Sequence, residues 1–241
     1  MKIKSVVILL FVVNFIGLNM IAVDILAQER RERVKIRIIY PAQEEVRDGG
    51  VLDDPMDILV LVNKDWSLPE YFEADDLVVP NIPYLSRVAR ENRLLREEAA
   101  LALEKLFAQA KEDGIKLYGV SAYRSYARQK FLFDYYTKKL GEEEAKRLSA
   151  KPGHSEHQSG LAIDLTSSSV GYGLTENFGE TKEGKWLAQV GPEFGFIIRY
   201  PQGREDTTGY SYEPWHIRYV GEEAALEIHK RGIVLEEYLG K

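Results

Sequence analysis

A chain of 241 residues, 45% apolar and 29% charged, can bury its own core as one large domain or two small ones. Its net charge of −6 provides no clustered basic face, which excludes nucleic acid as a natural partner. With no cysteine there is neither a disulfide framework nor a lipid-modified thiol, so stability in an oxidising compartment must come from the core.

At the N-terminus Lys2 and Lys4 precede an apolar run from Ser5 to Val23. The run has the form of an export signal, longer than the ~7–15 residues of a secretory h-region and close to the ~20 of a spanning helix. Ala27 before Gln28 provides a cleavage point, whereas Ile25 is too large for the small-x-small rule. Residues 1–28 are therefore expected to be a cleaved signal peptide or a retained membrane anchor. Either places the rest outside the cytoplasm, secreted or anchored at the cell envelope. Residues 29–50, dense in charge and ending in DGG, read as a linker, and 51–241 as the compact domain.

Within that domain DILVLVN (57–63) reads as an early strand. Between Leu85 and Asp113, Val88, Leu95, Leu101, Leu103, Leu106 and Phe107 recur with helical spacing, and Gly114 supplies a stop. A strand is expected at 115–123 and a helix at 124–141, closed by Lys138, Lys139 and Gly141. Further strands are expected at 160–166, 195–200 and 215–220, and helices near 183–190 and 222–230. With no regular βαβ alternation, the order argues for an α+β fold.

The stretch HSEHQSGLAID (154–164) concentrates two of the four histidines and two carboxylates. In a strand over GLAIDLT, Leu161, Ile163 and Leu165 share the core face, leaving Asp164 on the other with Ala162 and Thr166. A strand aspartate is ordinarily a solvated surface group. Here His157 stands just ahead, with Gly160 permitting an unusual turn between them. In YEPWHIRYV, Pro214 biases Glu213 to extended geometry, and alternation sets His216 opposite Trp215 and Ile217. If the two strands are neighbours, His157, Asp164 and His216 form a two-histidine, one-carboxylate set, with Glu213 three residues from a ligand. Such a set suits Zn²⁺ with an open fourth position, and Glu213 is placed to move a proton from water to a leaving amine. The reaction class is metal-assisted amide hydrolysis.

His154 is an alternative ligand to His157, although Pro152 and Gly153 suggest a loop in which it lines the cleft. His229, in the last turn of a helix, complements the dipole. Arg124 opens a helix, where a cation runs against the dipole, so it is either paired with a local carboxylate or reserved for an anion. Gln129 and Tyr126 in the same helix either add polar contacts or pack.

Taken together, SAYRSYARQ (121–129), PGHSEHQSGLAIDL (152–165), GFIIRYP (195–201) and TGYSYEPWHIRYVG (208–221) resemble the VanY-type D-alanyl-D-alanine carboxypeptidases. These are zinc peptidases that trim the stem peptides of bacterial peptidoglycan. The likeness runs from about Leu61 to Tyr219. The family's S-x-H-x(6)-D and E-x-W-H patterns fall on Ser155, His157, Asp164, Glu213, Trp215 and His216 without gap or substitution.

The resemblance implies a small antiparallel sheet with helices around it, as in the hedgehog signalling domain. It implies one Zn²⁺ per chain on His157, Asp164 and His216, Glu213 as the base, and Arg124 stabilising the carbonyl oxygen. Ser155 and Gln129 would lie near the substrate terminus, the substrate being a stem peptide ending in D-alanine. Two other readings stay open: an L,D-carboxypeptidase acting on tetrapeptide stems, and a non-catalytic wall-binding module with a vestigial zinc site. A free carboxylate at Glu213 argues against the second.

Overall fold

The computed structural model of the chain describes residues 10–11, 22–26, 35–39 and 54–241. It divides into two units, Met1–Val46 and Arg47–Lys241. In the first, strands β1 (Leu10–Phe11), β2 (Ala22–Leu26) and β3 (Lys35–Ile39) form an antiparallel sheet in that order. Strand β3 falls inside the segment expected to be a linker; Lys35, Ile36, Arg37 and Ile38 alternate with the period of two that suits extended backbone. The remainder of the expected signal or anchor lies outside the described residues, among which no helix is long and apolar enough to cross a membrane.

The second unit opens without the strand expected at 57–63. Asp57 turns the chain instead, its carboxylate accepting the Leu59 N–H at 2.8 Å and its carbonyl the Val60 N–H at 3.1 Å. Val60, Leu61 and Val62 are buried, and the carbonyls of Ile58 and Val60 accept from the Arg218 guanidinium rather than from a ladder partner. An apolar run can be irregular core as long as its polar backbone is satisfied.

Strands β4 (Leu77–Val78) and β5 (Leu95–Arg96) pair antiparallel, and this cuts short the helix expected over 85–113. Helix α1 occupies only Glu97–Glu112, with Glu97 and Glu98 favouring its first turn. Ala99, Ala100, Leu103, Leu106 and Ala110 face the core, while Leu101, expected there too, is 55% exposed. Full burial of Leu103 and Leu106 contributes roughly 1.5–3 kcal/mol each.

There follow β6 (Tyr118–Ser121), α2 (Tyr126–Leu140), α3 (Glu142–Leu148), β7 (Ala162–Thr166), α4 (Lys182–Val190) and β8 (Phe196–Ile198). The short helix α5 (Glu205–Thr208), strand β9 (His216–Tyr219), and helices α6 (Glu222–Arg231) and α7 (Leu235–Tyr238) complete the unit. Helices α3, α5 and α7 lie outside the sequence-based expectations; the other elements after α1 fall where expected. The strands form one antiparallel sheet in the order β6-β7-β9-β8, so the fold is α+β with helices around a small antiparallel sheet.

Both faces of this sheet are buried, but they differ in chemistry. Leu161, Ile163, Leu165, Ile217 and Tyr219 join the core beneath α1. On the other face Asp164 stands opposite His216, and Ala162 opposite Arg218. A second apolar cluster joins Leu61, Ile197 and Val220 to Ala225, Ile228 and Leu235 of α6 and α7.

Candidate metal centre

A 3₁₀ turn, Glu156–Ser159, carries His157, and Gly160 at φ +72° leads from it toward β7 and Asp164. A Cβ on Gly160 would lie 2.7 Å from Leu77 Cδ2 and 3.0 Å from Arg96 Cγ, so both the left-handed backbone and the close approach call for glycine. His216 opens β9 as the register partner of Asp164. Ligand atoms of His157, Asp164 and His216 thereby come within 4.8 Å of one another, all three side chains buried.

His157 Nε2 is 3.5 Å from Asp164 Oδ2, and His216 Nδ1 is 2.9 Å from Asp164 Oδ1. Ligands about 2.0–2.2 Å from a tetrahedral ion stand roughly 3.3–3.6 Å apart, so a small outward adjustment lets the group hold one. The Nδ1 of His157 lies 2.7 Å from the Ala122 carbonyl. A carbonyl only accepts, so Nδ1 carries the hydrogen and the bare Nε2 faces the group. Two imidazoles and one carboxylate fit zinc and leave a position for water or substrate.

Burial pushes His157 down to about 3, keeping it neutral as a ligand must be. Burial acts the same way on His216, but its hydrogen bonds to Asp164 and Glu156 prevail and raise it to about 9. For Asp164 burial opposes the charge, yet His157, His216 and Arg124 hold the carboxyl below its ordinary value.

Glu213 is half-buried beside the group. Its N–H donates to the Tyr200 carbonyl and its carbonyl accepts the His216 N–H, both at 3.0 Å. Burial pushes its carboxyl up to about 7, against the pull of His216, Arg124 and Lys64. That value suits a group that takes up and returns a proton near neutrality.

Arg124 stands just ahead of α2 rather than inside its first turn; the cap is Ser125, whose Oγ accepts the Arg128 N–H at 3.2 Å. Its N–H donates to the His157 carbonyl at 3.1 Å and its Nη1 to Gln129 Oε1 at 2.9 Å. The side-chain partner is thus an amide rather than a carboxylate. Gln129 is fully buried, and its Nε2 donates to Ser149 Oγ and the Ala150 carbonyl. Ser155 is buried two residues before His157. His154 lies outside the ligand group, its Nδ1 2.8 Å from the Asn63 carbonyl, and His229 is exposed in the last turn of α6. Tyr126 is half-buried at the start of α2.

Sequence reasoning missed a layer behind the ligands. Glu156 Oε2 lies 3.3 Å from His216 Nε2, and Arg199 and Arg218 both converge on Glu156 Oε1. Arg218 had a signal, since alternation along HIRY puts it on the same strand face as His216. No spacing rule links Glu156 to Arg199, or Arg199 to Glu236.

Comparisons with known proteins show what the chain as a whole resembles. The family model described as VanY, D-alanyl-D-alanine carboxypeptidase, matches residues 92–222, a span containing all seven expected site residues. YodJ of Bacillus subtilis (strain 168), named as a carboxypeptidase, is 48% identical over 190 residues, 79% of this chain and 70% of its own. Among solved structures, the LdcB LD-carboxypeptidase superposes with a TM-score of 0.79 at 46% identity, covering 82% of this chain and 92% of that one. A variant of the vancomycin resistance D,D-pentapeptidase VanY, in complex with Zn(II), gives a TM-score of 0.61 at 33% identity, covering 76% of this chain and 98% of that one.

Proposed function

The chain belongs to the VanY family of D-alanyl-D-alanine carboxypeptidases, and from that membership we propose how its own residues release the terminal D-alanine of a peptidoglycan stem peptide. It is a zinc-dependent carboxypeptidase that acts outside the cytoplasm on peptidoglycan peptides. The observation that carries the residue assignment is the convergence of one carboxylate and two imidazoles beside a carboxyl raised to about 7.

In this reading His157, Asp164 and His216 hold one zinc ion. Zinc bound there polarises the scissile carbonyl and activates water for attack. Glu213 takes the proton of the attacking water and passes it to the amine of the departing D-alanine. Arg124, steadied by Gln129, faces the negative charge that develops on the carbonyl oxygen. Ser155 lies near the substrate terminus, and Gln129 acts there through its hold on Arg124. The lysines and apolar run of residues 1–28 export the domain, as a cleaved signal or a retained anchor.

A second reading, removal of D-alanine from tetrapeptide stems, is favoured by one observation. The LdcB LD-carboxypeptidase is more similar in both sequence and fold than the variant of the D,D-pentapeptidase VanY. The test is D-alanine release by the purified, zinc-loaded protein from matched pentapeptide and tetrapeptide stems, with a chelated control. Chelator-sensitive release from the pentapeptide is expected. Release from the tetrapeptide alone moves the chain to the L,D class, and release from neither leaves a wall-binding module.

A further inference from the structure

Behind the metal group lies a buried ionic cluster that the proposed reaction does not use. Arg199 and Arg218 are 0% exposed and Glu156 is 1% exposed, a burial that charged residues tolerate only when paired. Glu156 divides its two oxygens. Oε1 accepts from Arg199 Nε and Arg218 Nη1, each at 2.7 Å, while Oε2 is left for His216 Nε2 at 3.3 Å. Glu236 of α7 grips the far side of Arg199 with two hydrogen bonds, of 2.9 and 2.6 Å. Arg218 is held further by the carbonyls of Ile58, Val60 and Tyr219.

We propose that Glu156 is a positioning residue for the metal: its Oε2 accepts the Nε2–H of His216 and so turns Nδ1 toward the ion, which would take the place of the Nδ1 proton that Asp164 accepts in the metal-free chain. The two buried guanidiniums keep the carboxylate in place. The inference rests on the ligand assignment above. A cluster that only stabilised the fold would account for the burial, but not for one carboxylate oxygen being aimed at the imidazole. His157 gets the same service from the Ala122 carbonyl and presents the opposite nitrogen, so the two imidazoles enter the site through different atoms. Partners of this kind orient a ligand and raise its basicity, and losing one typically costs about 10–100-fold in metal affinity.

The test compares two nearly isosteric variants of the full chain by chelator competition for zinc. Glu156→Gln is expected to bind zinc about 10–100-fold more weakly and to shift the visible spectrum of the cobalt-substituted protein. Glu236→Gln removes a carboxylate from the same cluster without touching His216; it should lower the thermal midpoint and leave zinc affinity within about twofold. Wild-type zinc affinity in a folded Glu156→Gln protein overturns the proposal, and so does an equal loss in both variants. If Glu156→Gln does not fold, histidine ¹⁵N NMR of the unaltered zinc-loaded protein decides. A proton on Nε2 of His216 supports the proposal, and a proton on its Nδ1 refutes it. Zinc binding that leaves the His216 resonances unmoved would instead defeat the ligand assignment, and this inference with it.

Discussion

Glu213 sits among His216, Asp164, Arg124 and Lys64, and burial lifts its carboxyl from 4.5 to about 7. The fold therefore favours the neutral form. Between those two values the folded chain binds more protons than the unfolded one, so this group costs stability as pH rises through the window. Metal-free Glu213→Gln should be more stable than the parent at pH 8 by on the order of 1–2 kcal/mol and no different near pH 4. Thermal unfolding at the two pH values measures this, and equal midpoints at pH 8 would mean the carboxyl is not raised. In the zinc-loaded enzyme the same variant should lose ~10²–10⁴-fold in kcat. The parent's kcat/KM should climb with pH through an acid limb at or below about 7, because a bound divalent cation favours the carboxylate. Near-normal turnover of zinc-loaded Glu213→Ala would remove Glu213 from its proposed role.

Gly160 joins the 3₁₀ turn of His157 to the strand of Asp164, and its φ of +72° lets two candidate ligands meet. Gly160→Ala should cost about 1–3 kcal/mol in left-handed backbone strain, with any shift forced on Leu77 and Arg96 adding to it. For a chain of this size that lowers the melting midpoint by roughly 2–12 °C. Calorimetry that found no change would show that neighbouring packing, not this glycine, sets the turn. Helix α2 is secured differently: its only buried residue is Gln129, whose amide is tied to Arg124, Ser149 and Ala150. Its stop is legible from Lys138, Lys139 and Gly141, because end signals are local chemistry, whereas its start falls at the Ser125 cap, one residue after the Arg124 opening expected. Its anchoring is not legible, since periodicity searches look for an apolar stripe and here the inward contact is polar.

Three proposed ligands from the turn, β7 and β9 make metal binding a property of the folded domain, because an unfolded chain does not hold His157 and Asp164 near His216. Zinc at a hundredfold excess over its Kd should therefore stabilise the fold by about 2.7 kcal/mol and raise the midpoint by roughly 5–11 °C. Chelation should reverse this and abolish D-alanine release, with added zinc restoring both; a midpoint indifferent to chelation would contradict a metal at this site. The sequence by itself determined what depends on near neighbours: the alternation that turns Leu161, Ile163 and Leu165 away from Asp164, the stop at Gly141, and the E-P-W-H spacing that sets Glu213 beside His216. Tertiary structure alone decided that Asp164 pairs with His216 across 52 residues, that Ile58 and Val60 lend their carbonyls to Arg218 instead of to a strand partner, and that the β4–β5 pairing holds α1 to Glu97–Glu112. It also decided the burial of Glu156, Arg199 and Arg218 together. Charge burial and backbone satisfaction are settled by whichever groups arrive from elsewhere in the chain, and their desolvation cost is offset only once those partners are in place.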